Sequence, residues 1–320
     1  MNVKGSPDTP LQKTILTEGT DYESQCDVII VNYNAGALLT DAVSSSFEAG
    51  AAKIIVVDNA STDESIKNLK KTVNSSRLLI IKNPKNVGFA KACNIGTNIS
   101  SAQKILFLNP DCIIAKHSLE LMIKTLESES NIGMVGGFLV NPDGSEQPGG
   151  RRVFPTPKRA FMRAFGLSKF AKFFPETLSD FLLHLEPLPE GPVAVEAISG
   201  ACMLVKRESI DSVGLWDENY FLHCEDLDWC MRFKLSGLKV MFVPNAKVVH
   251  AWGACSRSRP FFVEWHKHHG MLRFYKKFFR SKYTGLLWWS VVFGVWFRFS
   301  LMVGYYATRT ALIRSGVKRG

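Results

Sequence analysis

Lys104-Ile-Leu-Phe-Leu-Asn-Pro-Asp111 is a short apolar run that ends abruptly in a carboxylate. Residues 105–108 are apolar at every position, the mark of a strand buried on both faces, and Pro110 has no N–H to continue a ladder. Open α/β sheets bind ligands outside the carboxyl ends of their strands, where Asp111 falls. Taken alone, Asn109-Pro-Asp111 also fits a strand-end turn or a helix cap. The sequence on either side decides between these.

Upstream, strand and helix periods alternate. Residues 28–31 read as a first strand and 37–49 as a helix; 53–57 read as a second strand and 62–71 as a short helix capped by Ser61 or Thr62. A third strand at 78–81 leads to a helix over 89–98, and the strand at 105–108 leads to a helix over 118–128. Four such βα units imply an α/β protein with a parallel, doubly wound sheet. After Gly133-Met-Val-Gly-Gly137 the alternation stops, and residues 151–190 form a Pro-punctuated basic and aromatic insert. Further strands are expected at 201–205 and 238–243, around a helix at 227–235.

The 320 residues are 46% hydrophobic and 21% charged, ample for one large domain with or without an appendage. Seven cysteines form no CxxC pair; Cys93, Cys112 and Cys202 adjoin apolar runs and read as small core residues in a reducing compartment. Residues 1–25 carry Asp8, Glu18, Asp21 and Glu23 without an early apolar run, so a flexible tail is expected there rather than a secretory signal. The net charge of +10 is uneven: residues 257–320 hold 13 Lys/Arg against the single acid Glu264, and residues 151–172 hold seven with no acid. Such blocks suit an anionic surface. Phe154, Phe161, Phe165, Phe170, Phe173 and Phe174 in one block, with Trp288, Trp289 and Trp296 near the other, favour lipid. No nucleic-acid module is recognisable, and no nucleic-acid partner is expected.

Each of the first three strands is followed by ligand-type chemistry. Asn32-Tyr33-Asn34 offers an aromatic face and two amides, and Asp58-Asn-Ala-Ser-Thr-Asp63 follows the second strand. Asn83 through Asn94 follows the third and contains Asn86-Val-Gly-Phe-Ala90. An Asp at a strand tip accepts hydrogen bonds from a ribose hydroxyl or a pyrimidine N–H, and the Gly88 loop, entering a helix, brings backbone N–H groups near phosphate. Structural alternatives stay open for each: an Asx turn at Asp58, a turn glycine at Gly88, a core Tyr33. The GxGxxG fingerprint is missing, which counts against a nicotinamide enzyme.

In this order, Val28-Ile-Ile-Val-Asn-Tyr-Asn34, Val56-Val-Asp-Asn-Ala-Ser61, Asn86-Val-Gly-Phe89 and Leu108-Asn-Pro-Asp111 resemble inverting glycosyltransferase family 2, in its rhamnosyltransferase-like branch. Ser199-Gly-Ala-Cys-Met-Leu-Val205, Gly214-Leu-Trp-Asp-Glu218, Phe221, Glu225-Asp-Leu-Asp-Trp229 and His250 extend the likeness over about residues 26–257. The resemblance implies a GT-A nucleotide-sugar-binding fold over 26–256 with a mostly parallel doubly wound sheet. It implies an enzyme that moves a sugar, dTDP-L-rhamnose being the indicated donor, to a lipid-linked saccharide acceptor in cell-surface polysaccharide assembly. A UDP-hexose donor and a catalytically silent GT-A scaffold are the alternatives.

By the same resemblance Asn32, Tyr33, Asn34, Asp58, Asn59, Gly88, Phe89, Asn94 and Asn109 bind the nucleotide sugar. Asp111 and His250 hold Mn²⁺ or Mg²⁺, hard oxygen ligands suiting either and the imidazole tilting the choice toward Mn²⁺. Asn109 stands where many relatives carry the first Asp of Asp-x-Asp, leaving one carboxylate for the metal. Asp226 is implied as the general base that inverting transfer requires. Asp217, Glu225 and Asp228 fall on the acceptor side; helix capping is the alternative for the acidic cluster, and Asp228 with Arg232 at i+4 fits a structural pair.

Residues 257–320 are expected to associate with the membrane through an amphipathic or hydrophobic helical segment. Residues 285–307 are about long enough to span a bilayer, yet Arg298 lies near their middle, at a cost of roughly 2.5–3.5 kcal/mol on insertion scales. Basic clusters at both ends place both on the cytoplasmic face. A helix or hairpin lying in the interface satisfies this better than a crossing, with a spanning anchor and a buried soluble helix as alternatives.

Overall fold

The computed structural model describes residues 25–164, 183–251 and 259–314. The expected tail lies almost wholly outside the described residues, as do 165–182 of the insert and Phe165, Phe170, Phe173 and Phe174 with them.

The first half forms as its apolar periods dictate. Strands β1 (Cys26–Asn32), β2 (Lys53–Asp58), β3 (Leu78–Lys82) and β4 (Lys104–Leu108) pair in parallel in the order β3-β2-β1-β4. They are linked by α1 (Leu38–Glu48), α2 (Ser65–Thr72) and α3 (Phe89–Ile99). Successive strand side chains point to opposite faces. Val28 and Ile30 share a core with Leu39 and Val43 of α1, while Ile29 and Val31 share another with Ala90 and Cys93 of α3. Helices therefore cover both faces, which is why these strands show no polar alternation.

Helix α2 begins at Ser65, later than the expected 62. The Ser61 hydroxyl instead accepts from Asn32 Nδ2 at 3.0 Å and from the Asn34 N–H at 3.0 Å, and Asp63 Oδ1 accepts from the Ser65 N–H at the helix start.

The second half continues with β5 (Cys112–Ile114), α4 (Ser118–Glu127), β6 (Ile132–Val140), β7 (Arg151–Arg152), α5 (Pro157–Ala164), β8 (Val193–Val195), β9 (Ala197–Ile198) and β10 (Cys202–Lys206). After these come α6 (Arg207–Val213), α7 (Glu225–Leu235) and β11 (Lys239–His250). Strand β10 enters antiparallel between β4 and β6; β11 runs parallel to β6 and antiparallel to β5 and β8. Among the described residues the main sheet has nine strands, and β7 and β9 form a separate pair. The glycines at 133–137 lie inside β6. A Cβ on Gly136 would sit 2.7 Å from Ile198 Cγ2, and one on Gly137 2.9 Å from the Ala246 carbonyl oxygen, so close packing hides the strand pattern.

Two expectations about the basic blocks change. Arg151, only 4% exposed, donates to Glu146 and to the Glu186 carbonyl; Arg152 bonds Asp226; Arg159 bonds Glu196. Phe154 is buried. The insert thus turns its first arginines inward instead of toward lipid, because half-buried carboxylates wait there. Helices α8 (Pro260–Phe279) and α9 (Gly285–Arg314) form an antiparallel hairpin, in which Phe261 meets Tyr306 and Arg280 meets Trp288. Phe274, Tyr275, Phe279 and Trp288 share a core with Trp229 and Phe233 of α7, so α8 is built into the main domain.

Candidate active site

The carboxyl ends of β1, β2 and β4 meet where the strand order reverses, the switch point of an open α/β sheet. Asn32, at the tip of β1, is fully buried and its Nδ2 donates to Asp58 Oδ1 at 2.9 Å. Asn34 adopts φ 55°, and its Oδ1 accepts from the N–H groups of Thr62 and Asp63, clasping the β1 and β2 loops together. Asn59 donates to Asn86 Oδ1 and the Gly88 carbonyl and accepts from Asn83 and the Val87 N–H, so it braces the Gly88 loop. Gly88 has φ 90°, and a Cβ there would fall 2.8 Å from the Phe221 carbonyl oxygen, which also accepts the Phe89 N–H. Tyr33 is half-buried in the first loop. A cleft of about 410 Å³ opens beside Asp58, lined also by Ser61, Asp63, Lys67 and Lys82.

After β4 the chain crosses the sheet: β5 pairs with the end of β11, with Cys112 opposite His250, and the Ala251 N–H bonds the Asp111 carbonyl. This register brings Asp111 and His250, both 6% exposed, together, with His250 Nε2 3.2 Å from Asp111 Oδ1. On the other side of the ring, His250 Nδ1 lies 2.6 Å from Gln147 Oε1, and Gln147 Nε2 in turn donates to Asn141 Oδ1. An amide oxygen only accepts, so Nδ1 carries the proton and Nε2 faces the carboxylate. Two such acceptors side by side call for a proton on Nε2 or a cation shared between them. Cys112 Sγ is within reach of both, and burial, reinforced by Asp111, pushes its thiol up. Asn109 is half-buried and its side chain has no partner among the described residues.

The acidic cluster opens α7 as expected and its members separate by environment. Asp226 Oδ2 accepts from Arg152 Nη2 at 2.5 Å and from the Gly200 N–H at 3.2 Å; Oδ1 accepts from the Leu227 N–H at 2.8 Å. Burial works to raise this carboxyl, yet Arg152 and the two backbone donors outweigh it and hold it below the usual carboxylate range. Glu225 goes the other way: burial, then the adjacent Asp226 charge, push it up, and its Oε2 is buried without a partner among the described residues. Asp228 and Asp217, expected on the acceptor side, are both engaged by cationic side chains. Asp228 is fully buried and accepts from Tyr220, Arg232 and Lys277; Asp217 accepts from Arg273 and Lys277 of α8. Asn94, expected at the donor, spends its amide on Trp216 and Glu218 and so fixes the loop before α7.

The sequence profile of Glycosyl transferase family 2 matches residues 27–212. The chain belongs to that family.

As a family 2 glycosyltransferase it is similar to the N-acetylglucosaminyl-diphospho-decaprenol L-rhamnosyltransferase of Mycobacterium tuberculosis, 29% identical over 70% of this chain and 75% of the relative. It is similar also to the dTDP-rhamnosyl transferase RfbF of Shigella flexneri, 25% identical over 70% of this chain and 68% of that one. In fold it matches the mannosyltransferase PcManGT of Pyrobaculum calidifontis, solved with GDP-Man and Mn²⁺, at TM-score 0.55 and 15% identity, covering 92% of this chain and 80% of that one. GalNAc-T7, solved with UDP, GalNAc and Mn²⁺, gives TM-score 0.55 at 17% identity, with 78% of this chain covering 47% of that one. Both neighbours carry the GT-A type of fold expected from the sequence.

Two residues that contact the expected site residues, Arg152 on Asp226 and Gln147 on His250, were not foreseen from the sequence of this glycosyltransferase. Arg152 was hidden in a basic block whose count does not say which way each arginine points. Gln147 carries no local signal at all.

Proposed function

We propose that the chain catalyses inverting transfer of L-rhamnose from dTDP-L-rhamnose to a lipid-linked saccharide, in assembly of a cell-surface polysaccharide at the cytoplasmic face of the membrane. The observation that carries this reading is the Asp111–His250 pair, brought together at the end of the sheet where β5 pairs with β11. Asp58 and the Gly88 loop receive the nucleotide, with Asn32, Asn34 and Asn59 bracing them. The donor set of one carboxylate and one imidazole, its far nitrogen engaged by Gln147, fits Mn²⁺ or Mg²⁺. Such a cation, when bound, offsets the charge that develops on the leaving diphosphate.

Asp226 takes the proton of the acceptor hydroxyl as its oxygen attacks the sugar's anomeric carbon and the bond to the diphosphate breaks on the opposite face. Oδ1 has a lone pair left for this beyond the Leu227 bond. The rhamnose donor and the lipid diphosphate acceptor are supported by the names of the two rhamnosyltransferase relatives.

Attachment is by the α8–α9 hairpin. Residues Gly285–Thr310 are long and apolar enough to cross a membrane. Trp289, Phe293, Phe297, Leu301 and Tyr305 are all exposed and wind as an apolar stripe around the outer side of α9. Arg298 turns away from that stripe: its Nη1 lies 2.8 Å from His268 Nε2 and 3.8 Å from Glu264. A helix tied in this way to α8, itself docked on the catalytic core, suits the interface, with its aromatic stripe in lipid.

The test is transfer by the full-length protein from a panel of nucleotide sugars to a polyprenyl-diphosphate saccharide, read by product mass. Rhamnosyl product from dTDP-L-rhamnose supports the reading. Product only from a UDP-hexose replaces the donor, and no product from any donor overturns it.

A further inference from the structure

A second cavity, of about 240 Å³, lies between the loop before α7 and the outer face of α8, bordered by Asn219, Tyr220, Phe221, Trp265, His266 and His269. It touches both halves of the site. Phe221, on its wall, accepts the Phe89 N–H and packs flush on Gly88, so this wall is continuous with the donor loop. Two residues on, His223 and Cys224 hold φ 68° and 70°, a left-handed pair of non-glycine residues leading directly into Glu225 and Asp226. Such a conformation persists only where packing enforces it. Here α8 enforces it: a Cβ on Gly270 would fall 2.8 Å from the His223 carbonyl oxygen.

The lining has a definite chemistry. The His266 ring stacks on Phe221, with centroids 4.6 Å apart and planes 25° apart, and Trp265 lies nearly parallel to His269 at 6.2 Å. Trp265 keeps 47% of its surface exposed. The imidazoles supply hydrogen bonds, the indole supplies an apolar face, and no carboxylate among the described residues borders the cavity. The volume lies below that of sites for drug-sized ligands and suits a single sugar ring.

Resting on the glycosyl-transfer reading above, we propose that this cavity is the acceptor subsite. It takes the sugar ring next to the diphosphate of the lipid-linked acceptor, with Trp265 against the ring face and His266 and His269 bonding its hydroxyl and phosphate oxygens. The cavity stands on α8, the helix that carries the hairpin proposed to meet the membrane. The subsite therefore opens between the membrane surface and the base, on the path of a saccharide whose lipid stays in the bilayer.

The full-length protein is titrated with a water-soluble short-chain prenyl-diphosphate N-acetylglucosamine, without donor, and binding is read by calorimetry for wild type, Trp265→Ala and Trp265→Phe. Trp265→Ala is expected to weaken binding about tenfold or more, the scale on which truncating a Trp anchor acts, and Trp265→Phe to restore most of it. In turnover the same Ala variant raises KM for the acceptor and leaves KM for the donor in place. Unchanged binding in Trp265→Ala overturns the subsite, as does an equal rise of both KM values. Wild-type protein that binds the acceptor through Trp265 yet transfers no sugar overturns the transfer reading and leaves the subsite standing.

Discussion

Arg152 Nη2 donates to Asp226 Oδ2 across 2.5 Å, although the two residues lie 74 positions apart in the chain. The guanidinium is itself anchored to the Ile198 carbonyl at 3.0 Å. The pair sits where β7 meets β9 and where α7 begins, so one arginine ties the insert to the acidic helix. It also separates two neighbouring carboxyl groups electrostatically: Asp226 is held ionised, while Glu225 is pushed toward its neutral form. Environments that drive adjacent acids apart are the usual means of giving them different chemical roles.

Replacing Arg152 with Met is expected to remove the main force keeping Asp226 low and leave burial to raise it. The acid limb of the pH–rate profile should then move to higher pH. A profile that does not move would show that the pair only holds the fold together.

The two acids of the pair predict different profiles and different variants. With Asp226 as base, activity persists as pH falls from neutrality, since its carboxyl titrates below the usual range. With Glu225 as base, activity is lost as pH falls through a value well above that range. Asp226→Asn should reduce turnover by about 10²–10⁴-fold with little change in donor affinity, whereas capping alone predicts near-normal turnover, since Asn caps nearly as well. Turnover, donor affinity and melting temperature on Asp226→Asn and Glu225→Gln separate these outcomes.

Chelation should abolish transfer and Mn²⁺ or Mg²⁺ restore it, with Asp111→Asn inactive but folded. Gln147→Leu leaves both ligands in place and removes the group that orients His250. It is expected to weaken Mn²⁺ binding about 10–100-fold, measured directly by the electron paramagnetic resonance of free Mn²⁺. Full activity in excess chelator would sink the metal assignment.

Asp217 joins α8 to the loop before α7 through Arg273 and Lys277. Burial opposes its ionisation, but Asn219, Arg273 and Lys277 prevail and depress its carboxyl strongly. A depressed acid stabilises the fold while ionised, so this contribution is complete above the unfolded value of about 3.9 and fades as pH falls toward the native one. Asp217→Asn should cost about 1.5–3 kcal/mol at neutral pH. The loss should shrink in acid. Denaturant melts of both proteins at neutral pH and near pH 3 check the sign.

Deleting residues 284–320 should release the protein from anionic vesicles, and high salt should weaken attachment of the full chain, because screening acts within about 8 Å at physiological ionic strength. Resistance to salt, with extraction by detergent alone, would instead indicate a spanning α9.

Much of this was legible locally. The strand ending at Leu108, the loops after β1 to β3 and the acids opening α7 are contiguous patterns, and each formed where its period and turn residues placed it. The asparagines show a second use that the sequence does not announce. Asn34 Oδ1, and both ends of the Asn59 and Asn94 amides, bond neighbouring loops, because a loop at a sheet edge must satisfy its own buried N–H and C=O groups first. Strand β6 was obscured for a different reason: Gly136 and Gly137 answer to Ile198 and Ala246, far away in the chain.

By itself the sequence determined the two-faced apolar strands, the alternation that winds helices onto both sides, the order of the family's motifs and the uneven placement of charge. These follow from periodicity and composition, which act over a few residues. Only the tertiary structure decided which distant residues meet: His250 with Asp111 through the β5–β11 register, Arg152 with Asp226, Asp217 with Arg273, Arg298 with His268. Such pairs depend on strand order and helix docking, set by the whole core at once, and a charge count cannot tell an arginine facing lipid from one facing a buried carboxylate.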